Sequence, residues 1–222
     1  MHLNQRTVCG FLILSGLFCA ASVASRAESV AFAISLDTST LVDLGSGYVD
    51  IELNPGASDA LLVNASIYNV VTDGVLGDTI DTGSAYGSLT GGQLPTFSNT
   101  TFFNDLFEQI TWGDSLDFDV CLCGPGIDGE SITGTTFSVS LYAPDGITPL
   151  LTNSQDGSIL HIDINPPDGD VTSTVFPDAN NDTWATVDEG VCPEPPSAVF
   201  CGLGLALLAY CFRRQWAISQ PQ

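Results

Sequence analysis

Tyr48-Val49-Asp50-Ile51-Glu52-Leu53, followed by Asn54-Pro55-Gly56, is the stretch that decides the fold. Apolar Val49, Ile51 and Leu53 alternate in it with more polar neighbours. A period of two is that of a β-strand with one buried face. The Asn-Pro-Gly sequence that follows is typical of a turn. We therefore predict a half-buried strand that ends in a turn.

The same alternation recurs along most of the chain. Phe32, Ile34 and Leu36 alternate with small residues, and so do Phe137, Val139 and Leu141. Further strand-like runs lie at residues 61–71, 106–112, 116–122, 159–164, 171–176 and 184–187. Between the runs lie pairs that favour tight turns with a positive φ: Asp73-Gly74, Gly91-Gly92, Asp145-Gly146, Asp156-Gly157 and Asp168-Gly169.

These patterns predict an all-β fold for residues 28–190, because none of this part of the chain keeps helical spacing. Many short strands without crossover helices favour a single antiparallel β-sandwich, either jelly-roll-like or immunoglobulin-like. Residues 83–101, which are rich in Gly, Ser and Thr, are predicted to form the longest loop.

The N-terminus has the layout of a secretory signal peptide. Arg6 precedes an apolar run at residues 8–21, and small residues follow it. We predict a helical signal peptide over residues 1–27 with cleavage after Ala27, Ala24 being the alternative position. A retained N-terminal anchor is the other interpretation.

The C-terminus has the layout of a membrane segment. An apolar run at residues 198–212 follows Pro193-Glu194-Pro195 and precedes Arg213 and Arg214. As a helix it covers roughly 22 Å, and the flanking residues bring it close to the ~30 Å hydrocarbon core. Cationic flanks stay cytoplasmic, so residues 215–222 are predicted to be a cytoplasmic tail and the preceding chain to face outside.

This C-terminal segment resembles the PEP-CTERM sorting signal of exported bacterial proteins. The resemblance implies that residues 191–214 are recognised by exosortase, a membrane-embedded cysteine protease that removes the tail during export, often in bacteria that make extracellular polysaccharide. Pro193, Glu194, Pro195, Arg213 and Arg214 match the motif. An ordinary membrane anchor is the alternative.

The body of the chain is similar to an uncharacterised family of PEP-CTERM proteins. The similarity is carried by Ile34-Ser35-Leu36-Asp37-Thr38-Ser39, Ser46-Gly47-Tyr48-Val49-Asp50 with Asn54-Pro55-Gly56, and Thr148-Pro149-Leu150-Leu151-Thr152 followed by Asp156-Gly157. It implies export and supplies no catalytic residue.

The charge distribution narrows the possible partners. The formal net charge is −22, and the four cationic residues, Arg6, Arg26, Arg213 and Arg214, all lie in the terminal segments. Because residues 28–190 carry no Lys or Arg, we expect them to repel nucleic acid and anionic lipid, with membrane contact only through the terminal helices. Divalent cations and neutral sugars remain as partners.

Three cysteines lie between the two terminal apolar segments: Cys121, Cys123 and Cys192. Cys121 and Cys123 share a strand face with Cα atoms roughly 6.5 Å apart, at the edge of disulfide reach. The alternatives left open are incidental thiols and a bridge from one of them to Cys192. A site for a soft metal ion would need more ligands than these two thiolates, and the sequence places no His or third Cys near them.

Candidate chemical sites are few. His161 lies near Asp163 in sequence, but no nucleophile elbow accompanies it, and no carboxylate pair stands out for glycoside hydrolysis. Asp178, Asn180 and Asp182 have the spacing of a calcium loop. Thr183 stands where an EF-hand needs Gly, so we predict at most a looser calcium site and no other cofactor.

The sequence therefore favours a non-enzymatic exported protein with a structural or adhesive role in the outer envelope, at the cell surface or in the extracellular matrix. Its expected partners are signal peptidase and exosortase during export, and extracellular polysaccharide afterwards. The alternative is a carbohydrate-binding module that uses Tyr48, Tyr68, Tyr86 and Trp112.

Overall fold

A computed structural model describes residues 29–127, 129, 133–165 and 170–193. Within them lie one short 3₁₀ helix, Ser39–Leu44, and twelve strands. The strands are β1 Ser29–Asp37, β2 Ser46–Pro55, β3 Asn64–Thr72, β4 Val75–Thr82, β5 Ala85–Tyr86, β6 Thr96–Ser98, β7 Asp105–Thr111, β8 Ser115–Cys123, β9 Thr135–Tyr142, β10 Ser158–Asn165, β11 Asp170–Val175 and β12 Ala185–Glu189.

The strands form two six-stranded sheets. Sheet I has the order β12-β1-β8-β3-β6-β5, and sheet II has the order β11-β10-β9-β2-β7-β4. Every strand pair is antiparallel. The predictions of an all-β fold and of antiparallel sheets are therefore confirmed, and the two sheets enclose one core as a sandwich.

The first eight strands pair in a nested way. β1 pairs with β8, β2 with β7, and β3 with β6, while β4 and β5 are in contact at the edges of their sheets. β9, β10 and β11 then extend sheet II beyond β2, and β12 extends sheet I beyond β1. β2 and β1 thereby become inner strands.

The apolar half of the alternating pattern fills the core. Val49, Ile51 and Leu53 of β2 are 0% exposed, and Phe137, Val139 and Leu141 of the neighbouring β9 are also fully buried. Burying an aliphatic side chain of this size stabilises the fold by about 1.5–3 kcal/mol. The polar half of β2 consequently faces outward, which positions the site described below.

Two sequence-based expectations need correction. Residues 83–101 are not one loop, because they contain β5 and β6. The strand β4, which lies before them, is not predicted by the sequence pattern. β5 and β6 are too short to show a period, and an irregularity between Leu76 and Thr79 breaks the period of β4. The helices predicted at both termini lie outside the described residues.

The turn prediction holds at some glycines only. Gly91, Gly92, Gly146 and Gly157 have positive φ, whereas Gly56 and Gly74 do not. Gly74 is needed instead for close approach, because a Cβ there would lie 2.5 Å from the carbonyl oxygen of Thr111. The Asp168-Gly169 pair lies outside the described residues.

Candidate functional site

The outer face of sheet II carries a cluster of acidic side chains. Glu52 of β2 lies directly opposite Asp105 of β7, and Asp50 lies opposite Phe107. On the other side of β2, Ser138 and Ser140 of β9 are the partners of Glu52 and Asp50. We call Asp50, Glu52 and Asp105 the acidic patch.

Two members of the acidic patch are largely buried. Asp50 is 8% exposed and Asp105 is 9% exposed, and the Oδ1 atom of each has no hydrogen-bond donor. Aromatic rings lie beside them: Phe107 stacks on Tyr48 with ring centroids 4.6 Å apart, and Tyr142 lies 6.0 Å from Phe107. The β9–β10 loop approaches the same rings at Gly146.

Burial changes the acidity of this patch. Burial, together with the hydrogen bond to Asp105, raises the pKa of Asp50 to about 9. Burial and the charge of Asp105 raise the pKa of Glu52 to about 7, and burial also raises the pKa of Asp105. Desolvation and like charges both penalise the charged form of a carboxyl group, and both act on this patch.

His161 does not form a catalytic arrangement with Asp163. Its Nε2 lies 3.0 Å from Oδ2 of Asp156, and its ring packs edge-on against Phe176 with centroids 4.8 Å apart. Asp163 instead accepts a hydrogen bond of 2.6 Å from the Thr136 hydroxyl. The histidine therefore ties the β9–β10 loop to β10.

The predicted calcium ligands lie together in one turn. The Asp178 carboxylate accepts hydrogen bonds from the backbone N–H groups of Asn180 (2.7 Å) and Asp182 (3.0 Å), and from the indole N–H of Trp184 (3.3 Å). The backbone N–H of Asp182 is the main cause of the lowered pKa of Asp178. The hydrogen bonds account for the shape of the turn, and the calcium site stays a prediction.

The cysteines adopt one of the two arrangements left open. Cys121 of β8 forms a disulfide with Cys192, with Cα atoms 5.2 Å apart, and Cys123 is a free thiol. To reach β8, residues 190–192 run from β12 across β1: Gly190 donates to the Ala31 carbonyl (2.8 Å), and the Tyr68 hydroxyl donates to the Val191 carbonyl (2.8 Å). We call this disulfide with residues 190–192 the staple.

The aromatic residues proposed for sugar binding do not converge. Tyr48 lies on the outer face of sheet II, Tyr68 contacts the staple, and Tyr86 is exposed on the edge strand β5. Trp112 is only 4% exposed and belongs to the core. The four side chains therefore provide no common platform.

The sorting residues fall almost entirely beyond the described part of the chain. Pro193 is the last described residue, while Ala27, Glu194, Pro195, Arg213, Arg214 and the predicted helix 198–212 lie outside it. Among residues 29–127, 129, 133–165 and 170–193, no helix is long and apolar enough to span a membrane. In the same ranges, no three His, Cys, Asp or Glu side chains are grouped as a metal ion requires.

Sequence reasoning missed the acidic patch. Alternation does place Asp50 and Glu52 on the outer face of their strand. The burial of Asp50 and its contact with Asp105 depend on the pairing of β2 with β7, whose residues are more than fifty positions apart. The visible signal was the Asp-x-Glu pattern inside an otherwise apolar strand.

Comparisons of the chain with protein-family models, with curated proteins and with solved structures find no match. The function proposed below therefore depends on the sequence and on the geometry of the described residues.

Proposed function

We propose that this chain is an exported, exosortase-processed protein of the cell envelope or extracellular matrix, with a structural or adhesive role and no catalytic activity. The observation that carries the proposal is the disulfide between Cys121 and Cys192. Disulfides form and persist in oxidising compartments outside the cytosol. Cys192 directly precedes the Pro193-Glu194-Pro195 motif of the PEP-CTERM-like segment.

The surface supports the same proposal. The described residues contain acidic side chains throughout and no Lys or Arg, which favours solubility after export and disfavours binding to anionic polymers. The one histidine among them, His161, is paired with Asp156 and packs against Phe176.

For the finer fold, we infer a jelly roll in the first eight strands. Their nested pairing, β1 with β8, β2 with β7 and β3 with β6, supports this topology over an immunoglobulin-like one. β9–β12 would then be additions at the opposite edge. Helices at both ends remain part of the proposal.

Mass spectrometry of the protein recovered from its native host tests the export route. We expect an N-terminus near Glu28, a C-terminus near Cys192, and no peptide from Val199 onward. Intact tail in the final product would contradict sorting by exosortase.

A motif variant separates sorting from simple anchoring. Changing Pro193, Glu194 and Pro195 together to Ala should leave unprocessed protein in the inner membrane. The control changes Ser197 to Ala and should be processed normally. Equal processing of both variants would favour a plain anchor.

A second candidate function is binding of a neutral carbohydrate, favoured by an exposed aromatic pair. Phe102 is 66% exposed and Phe103 is 49% exposed in the β6–β7 turn. Buried asparagines fix both ends of this turn: Asn99 donates to the Leu61 carbonyl (2.8 Å), and Asn104 donates to the Leu53 carbonyl (2.8 Å). A rigid turn presents aromatic faces at little entropic cost, and such faces stack on sugars.

A glycan array with the full chain in mild detergent tests this second function. Saturable binding to one class of neutral glycan, lost in a Phe102→Ala/Phe103→Ala variant and kept in Tyr86→Ala, would support it. Turnover of any glycan would instead contradict the non-enzymatic proposal. Absence of binding would leave the structural role as the better description.

A further inference from the structure

Asp50 and Asp105 bring two carboxyl groups together where the protein offers no cation. They are diagonal neighbours on the outer face of the β2–β7 pair, and after burial the proximity of Asp105 is the main cause of the raised pKa of Asp50. The described residues contain no Lys or Arg, and His161 is engaged with Asp156. Two ionised carboxylates in contact repel strongly without a counter-charge.

Burial raises the free-energy cost of leaving these two carboxyl groups without hydrogen-bond donors. Both residues are more than nine-tenths buried, and neither Oδ1 atom receives a hydrogen bond from any protein donor. An ionised carboxylate is an acceptor only, so a hydrogen bond between two carboxyl groups requires a proton on one of them. One shared proton satisfies both orphaned oxygens.

The surrounding titratable groups favour retention of that proton. Glu52 on β2 interacts electrostatically with Asp105, and Asp156 in the β9–β10 loop interacts with Glu52. Burial and the charge of Asp50 raise the pKa of Tyr142 on β9. On the other side of β7, β4 places the uncharged Thr82 opposite Asp105. His161 on β10 is the one basic group nearby, and it is paired with Asp156.

We propose that Asp50 and Asp105 bind one shared proton at neutral pH and form a pH-sensitive lock between β2 and β7. With the proton in place, the carboxyl pair adds a cross-strand hydrogen bond on the outer face of sheet II. When alkaline solution removes the proton to solvent, two buried anions remain and push β7, with the edge strand β4, away from β2. A pKa of about 9 for Asp50, raised mainly by burial, agrees with a transition above neutral pH.

Infrared spectroscopy of the full chain in mild detergent tests the shared proton directly. We expect the carbonyl band of a protonated carboxylic acid to persist at pH 7 and to disappear on titration through about pH 9. At about pH 8, Glu52, with a pKa of about 7, is mostly ionised, and Asp50→Asn should remove the band that remains there, because the amide replaces the protonated carboxyl as donor to Asp105. Absence of the band in the wild type at about pH 8, or its persistence there in Asp50→Asn, would overturn the proposal.

Thermal melting tests the lock. The melting temperature of the wild type should fall between about pH 7 and pH 9 and level off above pH 9, and Asp50→Asn should lose that fall. Asp81→Asn, an exposed carboxylate on β4, is the control and should keep it. Identical dependence of the melting temperature on pH in all three proteins would overturn the lock. If Asp50→Asn does not fold, the infrared titration of the wild type still tests whether the pair holds a proton.

A calcium arm separates a proton from a metal ion. The proton-binding pair predicts that millimolar calcium at pH 7 leaves the carboxylic acid band unchanged. Loss of the band on calcium addition, together with a higher melting temperature in the wild type but not in Asp50→Asn, would mean that the pair binds metal and would overturn the proposal.

Discussion

An acidic side chain is fully buried beside the apolar core. Glu108 of β7 is 0% exposed and faces inward, directly opposite Val49. Its carboxylate accepts hydrogen bonds from the backbone N–H of Leu89 (2.8 Å) and from the Ser88 hydroxyl (3.2 Å). Glu108 therefore fastens the β5–β6 connection to sheet II.

Removing this carboxylate should be costly. Glu108→Ala leaves the Leu89 N–H and the Ser88 hydroxyl without their acceptor, so we expect the free energy of unfolding to fall by about 2–3 kcal/mol. Glu108→Gln keeps one acceptor oxygen and should lose less. Urea unfolding of the full chain in mild detergent measures both changes.

The matched control is Glu189→Ala, which removes an exposed carboxylate at the end of β12. Its effect should stay within about 0.5 kcal/mol. An equally small effect for Glu108→Ala would mean that the buried carboxylate is not structural.

Glu108 illustrates what a sequence conveys at the scale of one residue. Alternation between Leu106 and Ile110 predicts that position 108 points inward, as it does. The pattern cannot reveal the donors that make a buried carboxylate tolerable, because Ser88 and Leu89 belong to a connection that was expected to be a plain loop. The proximity of Asp105 to Asp50 could not be predicted for the same reason, because it depends on the pairing of β7 with β2.

At the scale of elements, the staple governs the last strand. β12 is an edge strand whose only partner is β1. The disulfide closes a loop with a sequence separation of 71, which corresponds to about 4 kcal/mol in the chain-entropy description. We expect Cys192→Ser to lower the free energy of unfolding by up to this amount and to let β12 fray first.

Hydrogen exchange resolves the location of this effect. In Cys192→Ser, amides of β12 should exchange faster than those of β10, which lies inside sheet II. Cys123→Ser, which changes the free thiol on the same face of β8, is the control and should leave both rates unchanged. Equal acceleration in β12 and β10 would contradict local fraying.

The elements that sequence reasoning identified are those with a long, unbroken period. β2, β8 and β9 each carry regular alternation, and their apolar residues are buried. Burial alternates strictly only in β8, because Asp50 of β2 and Ser138 and Ser140 of β9 are buried as well. β5 has two residues and β6 has three, so neither contains a full period. The strand order could not be predicted, because most neighbours in the sheets are distant in the chain and alternation is the same whichever partner a strand meets.

At the scale of the whole molecule, charge should make stability depend on pH. Folding raises the pKa of Asp50 to about 9 and that of Glu52 to about 7, so the folded state binds more protons than the unfolded chain between roughly pH 4 and these values. Stability should therefore fall as the pH rises from about 4 through 7 to 9. Thermal melting over this range measures the effect.

A second group of carboxylates acts in the opposite sense. The Thr148 hydroxyl and nearby backbone N–H groups lower the pKa of Asp145 to about 2, so its contribution is lost only as the pH falls toward that value. The optimum should thus lie near pH 4–5. Added sodium chloride should raise the melting temperature at pH 7 by screening repulsion. A melting temperature that ignores both pH and salt would refute this account.

The staple also decides where the molecule can be pulled. The chain leaves the sandwich at Pro193, and a load applied there passes through the Cys192–Cys121 bond into β8, which lies between β1 and β3 inside sheet I. Without that covalent link the load would act on β12 and peel a five-residue edge strand from β1 one hydrogen bond at a time. With it, tension on β8 meets two neighbouring strands at once, and the disulfide bypasses the chain between Cys121 and Cys192. A domain anchored at its C-terminal end to a membrane or a matrix would keep its fold under strain that an unlinked edge strand could not withstand.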